Sequence, residues 1–397
     1  MLRFVPPAGA RLEFAQILRA GKAAALQNCG RKSITGVVQQ LGACNAFGTR
    51  SGRVALWLIL KALNRIRPDR KIVALPAYTC FTVPAAVVRA GLTICPIDID
   101  PETLDFDFSQ LERLSAAGLL CVVACNLFGL VNDLERVRAI AAAKRAFVVD
   151  DAAQALGASR NGYFSGLRGD VGFFSFGRGK ALPAMEGGLA VTNSEEISRA
   201  IRVEADLLPK PSQSHSVRLL AQMLGFAAFL HPRLYWIPNS IPFLKLGSTE
   251  FAPDFPISGI SGLSAALISQ LMGKLAEMNA DRERNAVCVA EGIKANPRFF
   301  VPEPICGSRP IYTRLPIIAS DKPTRDRAVT RLRAAGIGAT PSYPSAICDI
   351  PGLERFAGSE FRHCTGAESL ADRVLTLPTH CYVSQQDISR MIEVLAE

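Results

Sequence analysis

The sequence lacks an apolar run long enough to cross a bilayer, which takes roughly 20 residues. The candidate at Leu219–Leu230 already contains Gln222 and is bounded by Arg218 and His231. The opening stretch MLRFVPPAGARLEF holds no apolar signal core, so a secreted protein is not expected. Basic residues form no long block and no nucleic-acid motif is present, which weighs against DNA or RNA as a partner. Cys121 and Cys125 have no companions at ligand spacing, so no metal site is expected. Internal repeats and low-complexity tracts are also missing, which excludes a solenoid.

What is present is core material. Hydrophobic residues make up 49% of the 397, which weighs against global disorder. The length calls for two domains rather than one. Lys and Arg number 45 against 35 Asp and Glu, a formal charge of +10 that favours anionic ligands such as nucleotides and phosphates. Eleven cysteines, several inside apolar runs (Cys95, Cys121, Cys125, Cys288), read as reduced core thiols of a cytoplasmic protein.

Apolar runs at 71–75, 92–98, 119–125 and 147–150 alternate with helical patterns at 83–90 and 134–146. That rhythm predicts an α/β fold whose mostly parallel sheet is covered on both faces. Residues 1–47 read as an N-terminal helical arm, and 48–256 as a large domain carrying an apolar, proline-punctuated insert at about 200–256. Residues 257–397 read as one long linking helix followed by a small C-terminal α+β domain. The insert predicts a helical hairpin in a subunit interface. Its sharper alternative is peripheral membrane contact through 216–247.

The stretch FVVDDAAQALGASRNGYFSGLRGDVGFFSFGRGKALPAMEGGLAVT, residues 147–192, concentrates the chemistry. Asp151 ends one strand-like run, Ser175 lies near the end of the next, and Lys180 follows five residues later. Carboxylate, hydroxyl and amine thus sit just past strand ends, where open α/β sheets place ligands. Pyridoxal phosphate needs an amine for a Schiff base, an anion for its ring nitrogen and donors for its phosphate. Lys180, Asp151 and Ser175 meet those needs, with the amides of Ser51-Gly52-Arg53 at the start of a buried helix as further phosphate donors. The same residues also fit a turn-forming aspartate, a solvated lysine and an ordinary serine cap.

Nine short segments together resemble the DegT/DnrJ/StrS-type family of PLP-dependent sugar aminotransferases. Ser51-Gly52-Arg53-Val54-Ala55-Leu56 is similar to its SGTAAL turn, and Pro76-Ala77-Tyr78-Thr79 with Ile97-Asp98-Ile99-Asp100 to its PSFT…VDID. Asn126-Leu127-Phe128-Gly129 resembles HLYG. Asp150-Asp151-Ala152-Ala153-Gln154-Ala155 resembles EDAAQA, and Ser175-Phe176 with Lys180 resembles SFxxxK. Glu186-Gly187-Gly188 resembles DGG. Tyr343-Pro344 and Leu377-Pro378-Thr379-His380 resemble the YP and LPLHP elements of the second domain.

The resemblance implies a fold-type I PLP-dependent transferase with a seven-stranded-type sheet, pyridoxal 5'-phosphate as cofactor, and a homodimer. By it, Lys180 would hold the cofactor and shuttle the proton, and Asp151 would pair with the ring nitrogen. Gln154 would bond the ring hydroxyl, while Ser175 and Ser51–Arg53 would bind the phosphate. Tyr343 and His380 would be substrate contacts. The implied reaction passes an amino group, with glutamate as donor, to a nucleotide-linked keto-sugar in polysaccharide or sugar biosynthesis. Relatives that dehydrate deoxysugars carry histidine at the lysine position, so Lys180 favours amination.

Three departures stand out. Arg53 replaces the threonine of SGT. Cys80 replaces the aromatic that stacks on the ring, leaving Phe81 or Tyr78 as candidates. No NHG-like segment follows Lys180, where the insert lies instead. Alternatives are a dehydratase or an enzyme of a non-sugar ketone on the same fold, or a non-catalytic PLP-binding regulatory or membrane-docking protein.

Overall fold

Alternate side chains of the central strands bury on opposite faces. Val149 and Phe173 belong to the core under one face, while Val148 and Phe174 belong to cores under the other. A sheet buried on both faces needs helices on both faces. The computed structural model, which describes residues 3–25, 29–241, 249–358 and 363–397, supplies them.

Two helices, α1 (Phe14–Ala24) and α2 (Cys29–Leu41), precede the edge strand β1 (Asn45–Thr49). Next come α3 (Gly52–Ile66), β2 (Ile72–Pro76), α4 (Thr82–Arg89), β3 (Thr93–Ile97) and α5 (Phe108–Arg113). The alternation continues with β4 (Leu119–Cys125), α6 (Leu134–Ala143) and β5 (Phe147–Asp151). A small hairpin of β6 (Ser159–Arg160) and β7 (Tyr163–Phe164) leads to β8 (Val171–Ser175) and β9 (Gly188–Thr192). The seven-stranded sheet has the order β1-β9-β8-β5-β4-β2-β3. Only β9 runs against its neighbours; the other pairs are parallel. The mostly parallel fold read from the sequence is the observed one.

The helix α3 packs on the β1-β9-β8 end of this sheet and buries Val54, Leu56, Leu58, Ile59, Leu60 and Leu63. Each such side chain contributes roughly 1.5–3 kcal/mol when fully buried, so its first turn is anchored firmly where the site needs it.

The chain continues through α7 (Glu195–Ala205), α8 (Gln213–Phe229), α9 (Trp236–Asn239), α10 (Gly262–Met272) and α11 (Leu275–Ile293). The C-terminal part holds β10 (Phe299–Phe300), β11 (Ser308–Arg309), β12 (Leu315–Ala319), α12 (Lys322–Ala334), α13 (Thr365–Arg373), β13 (Val374–Leu377) and α14 (Gln385–Ala396). Strands β10, β12 and β13 form an antiparallel sheet, and β11 pairs with the β6–β7 hairpin.

Three expectations differ from the structure. The hairpin of the insert is one helix, α8, followed by the single turn α9; Pro232 and Pro238 remove amide donors that a second long helix needs. Residues 242–248 of the insert lie outside the described residues. The long helix over 257–296 is broken into α10 and α11 at Gly273-Lys274, where glycine is a poor helix former. Strand β1 has no counterpart in the sequence reading, because NAFGT shows no apolar alternation. Among the described residues no helix is long and apolar enough to cross a membrane.

Candidate active site

The carboxyl ends of β2, β4, β5 and β8 open toward the start of α3, as a parallel sheet dictates. Between them lies a cavity of about 210 Å³. Ser51, Gly52, Arg53, Cys80, Asp151, Gln154, Ser175 and Lys180 all line it. Residues 124 positions apart in sequence, Ser51 and Ser175, are brought together by one close approach. A Cβ on Gly52 would stand 2.6 Å from Cβ of Ser175 and 3.0 Å from its Oγ, so only glycine lets the helix start there. Likewise a Cβ on Gly188 would fall 2.2 Å from the carbonyl oxygen of Ser51.

Ser51 caps α3 with extended backbone, its Oγ accepting from the Val54 amide at 3.3 Å. The remaining first-turn amides and the positive end of the helix dipole face the cavity, an arrangement suited to an anion. Arg53 adds a guanidinium whose Nη1 donates to the Ala252 carbonyl at 3.1 Å and which lies 4.8 Å from the centre of the Phe255 ring. Burial lowers its pKa, yet it keeps further donors.

Two adjacent aspartates end β5 and have opposite surroundings. Asp150 accepts from Asn126 Nδ2 at 2.8 Å, the Gly166 amide at 2.6 Å and the Arg168 amide at 3.2 Å. It is a satisfied structural anchor. Asp151 accepts only from the Ala153 amide at 2.9 Å and the Cys125 thiol at 3.4 Å. Burial raises its pKa to about 6, with the Ala153 amide and then the charge of Lys180 pulling it back down. A buried carboxylate so lightly compensated is suited to a cation delivered by a ligand.

Lys180 follows β8 in a tight loop, its amide donating to the Gly177 carbonyl at 3.1 Å. Its amine makes no ion pair among the described residues. Gln154 accepts at Oε1 from the Phe128 amide (3.3 Å) and donates from Nε2 to the Tyr343 hydroxyl (2.9 Å). Tyr343 is buried and reaches the site through Gln154 rather than lining it.

Three residues named from the sequence are elsewhere. Phe81 is buried in the core with Val83 and is not on the cavity wall; it starts α4, which turns its ring inward and leaves Cys80 on the wall. Tyr78 is likewise a core residue, its hydroxyl accepting from the Tyr343 amide at 3.3 Å. His380 is neither at the surface nor in the cavity. It is 1% exposed, its ring bonds the Pro6 carbonyl at 2.8 Å, and burial lowers its pKa to about 4.

The sequence reading missed Thr79, Cys125 and Phe173, which also line the cavity. Cys125 was assigned to the core and is buried there, but as the last residue of β4 it also meets Asp151. Its place at a strand end was the available signal.

The residues fit pyridoxal phosphate. An under-compensated carboxylate, a free amine and a helix start with two serines share one cavity, and glycine is required where those serines meet.

The chain matches the DegT/DnrJ/EryC1/StrS aminotransferase family over residues 14–228 and 258–396. The gap in that match falls on the insert. The chain is 28% identical over 373 residues to the UDP-N-acetyl-3-dehydro-alpha-D-glucosamine 3-aminotransferase of Acidithiobacillus ferrooxidans, covering 93% of this chain and 88% of the relative. Its fold is similar to that of Helicobacter pylori PseC, an aminotransferase of pseudoaminic acid biosynthesis, with TM-score 0.80, 16% identity and coverage of 99% and 98%. It is similar too to the E. coli GDP-4-keto-6-deoxy-D-mannose-3-dehydratase solved with hydrated PLP, with TM-score 0.78, 19% identity and full coverage of both chains (100% each).

Proposed function

The chain belongs to the DegT/DnrJ/EryC1/StrS aminotransferase family, and from that premise we propose that it passes the amino group of glutamate to a keto-sugar carried on a nucleoside diphosphate. The observation that carries the reading is Asp151, a buried carboxylate with no ion pair among the described residues, in one cavity with Lys180 and the start of α3. Pyridoxal phosphate, when bound, supplies the electron sink that makes a proton on the donor's α-carbon removable.

The residues divide the work. First-turn amides of α3, Ser51 and Ser175 bind the phosphate. The Asp151 carboxylate holds a proton on the ring nitrogen, favoured by low-dielectric surroundings. Gln154, fixed at both ends of its amide, orients the ring hydroxyl. Nζ of Lys180 holds the aldehyde end and carries the proton at the substrate carbon. The lysine itself supports amination over dehydration, and the net charge of +10 suits a diphosphate-bearing acceptor.

Exposed apolar side chains on α1 and α8, Phe14, Leu18 and Val217, support a homodimer in the cytoplasm with the insert against a second copy. Flotation of the protein with anionic vesicles would overturn that placement in favour of a membrane contact. The functional reading is tested by the visible spectrum of the protein loaded with PLP. Bleaching of the bound-cofactor band by glutamate, with formation of 2-oxoglutarate, is expected; an unchanged band would overturn it.

A further inference from the structure

Two cysteines of the C-terminal part, neither on the cavity wall, have their sulfurs in contact. Cys348 lies in the single turn Ile347–Asp349, and Cys364 stands at the N-cap of α13. The Cys348 thiol donates to Sγ of Cys364 at 3.0 Å. A disulfide bond is about 2.05 Å long, so side-chain torsions alone can close the gap. The backbone on each side is anchored to the central sheet. The Ile347 amide donates to the Ala77 carbonyl, just past β2, at 2.8 Å. Asp98, just past β3, accepts from the amides of Gly366 and Ala367 at 2.9 and 2.8 Å. Between them Ala357 bridges Ile94 of β3. The sulfurs are therefore held face to face by two fixed segments.

The two thiols have different surroundings. Cys364 is 1% exposed, whereas Cys348 is only partly buried. The hydrogen bond from Cys348, and then burial, push the Cys364 thiol up in pKa. Cys364 is thus withheld from dissolved reagents while Cys348 meets solvent, the division between an attacking thiol and a resolving one. A metal site is the weaker reading, because among the described residues no group of three possible ligands gathers anywhere.

We propose that Cys348 and Cys364 are a redox modification site, forming a reversible disulfide by exchange with oxidised glutathione. The Cys348 thiolate attacks one glutathione sulfur, and the other glutathione leaves as a thiolate with the electron pair of the broken bond. Cys364 then releases its proton to solvent and attacks Sγ of Cys348, expelling the second glutathione thiolate. Both protein thiols are oxidised, and the glutathione disulfide is reduced to two thiols. The new bond ties the turn after Tyr343 to the start of α13. Disulfides of proteins in reducing compartments are usually of this transient kind. The site is independent of what the cavity catalyses, so it stands apart from the aminotransferase reading.

The test incubates the PLP-loaded protein with mixtures of reduced and oxidised glutathione, quenches it with N-ethylmaleimide, and maps the cysteines by peptide mass spectrometry. A peptide cross-linked through Cys348 and Cys364 is expected to accumulate with oxidised glutathione and to vanish with dithiothreitol. The Tm of the cross-linked form should rise by roughly 5 °C. Cys348→Ser should abolish both the cross-link and the rise, whereas Cys364→Ser should leave glutathione stranded on Cys348. The exposed Cys44 and Cys306 show by their own adducts that the reagent was active. No cross-link in the wild type under conditions that load Cys44 would overturn the proposal. So would a cross-link from Cys348 to any other cysteine. Stoichiometric zinc in the wild type that is lost in Cys348→Ser would also overturn it, assigning the thiols to a metal. Should Cys364→Ser not fold, the wild type and Cys348→Ser decide.

Discussion

The wall of the cavity and the layer of side chains behind it are built in opposite ways. The wall comes from strand ends of the central sheet and one helix start, so each residue is fixed by the hydrogen bonds of its own element. Behind it lies a second layer, in which Tyr343, from a loop of the C-terminal part, accepts from Gln154 and packs against Tyr78, their ring centres 5.4 Å apart. Its groups lean on one another across long sequence separations. The wall holds its groups rigidly; the layer behind it is more open to variation, since Tyr343 is not tied to the central sheet.

The sharpest way to break this contrast is Lys180→Ala. It should lower amino transfer by roughly 10³-fold while leaving Tm nearly unchanged, because a partly exposed loop lysine packs little. A borohydride-stable lysine adduct surviving in that variant would show that the amine lies elsewhere.

Asp151→Asn should separate chemistry from stability. The folded pKa of about 6 exceeds the unfolded value near 3.9, so Asp151 destabilises the cofactor-free fold as pH rises from about 4 to 6, and fully above that. The variant should therefore gain about 3 kcal/mol at pH 7 and nothing at pH 4, while losing activity. Equal urea midpoints at pH 7 would contradict the burial argument.

His380 works the other way. Its pKa of about 4 lies below the usual 6.5, so stability is full above pH 6.5 and about 3 kcal/mol is lost as pH falls to 4. His380→Asn should flatten that slope in thermal melts from pH 4 to 7 without changing the activity profile at neutral pH.

Gly52→Ala tests the close approach to Ser175. A Cβ at 2.6 Å should cost about 1–3 kcal/mol by overpacking and weaken PLP binding in a fluorescence titration. The smallest effect is expected of Tyr343→Phe, which removes one hydrogen bond from Gln154, about 1 kcal/mol. It should change the Km for the donor by a few-fold and leave Lys180 loading intact.

Legibility followed the same division. Strand β4 is legible residue for residue, because a continuous apolar run between turn signals is a local property. Asp151, Ser175 and Lys180 were found because they sit within one motif-rich stretch. Asp150 and Asp151 were indistinguishable by residue type; only the packing of Asn126 and Gly166 around one of them separates anchor from site. Phe81 and His380 were misplaced for a related reason. Inward or outward orientation at an element boundary depends on the partner surface, which no short window contains.

The bond between Pro6 and His380 spans 374 positions, and the Val5–Ile337 bridge lies beside it. During synthesis, at about 5–20 residues per second, this latch waits roughly 20–75 seconds for its second half to emerge. Until then Val5 and its neighbours remain uncommitted while the central sheet is already complete. A label appended ahead of Arg3 is therefore carried through the last assembly step, whereas one placed in the loop near Asn161 is not.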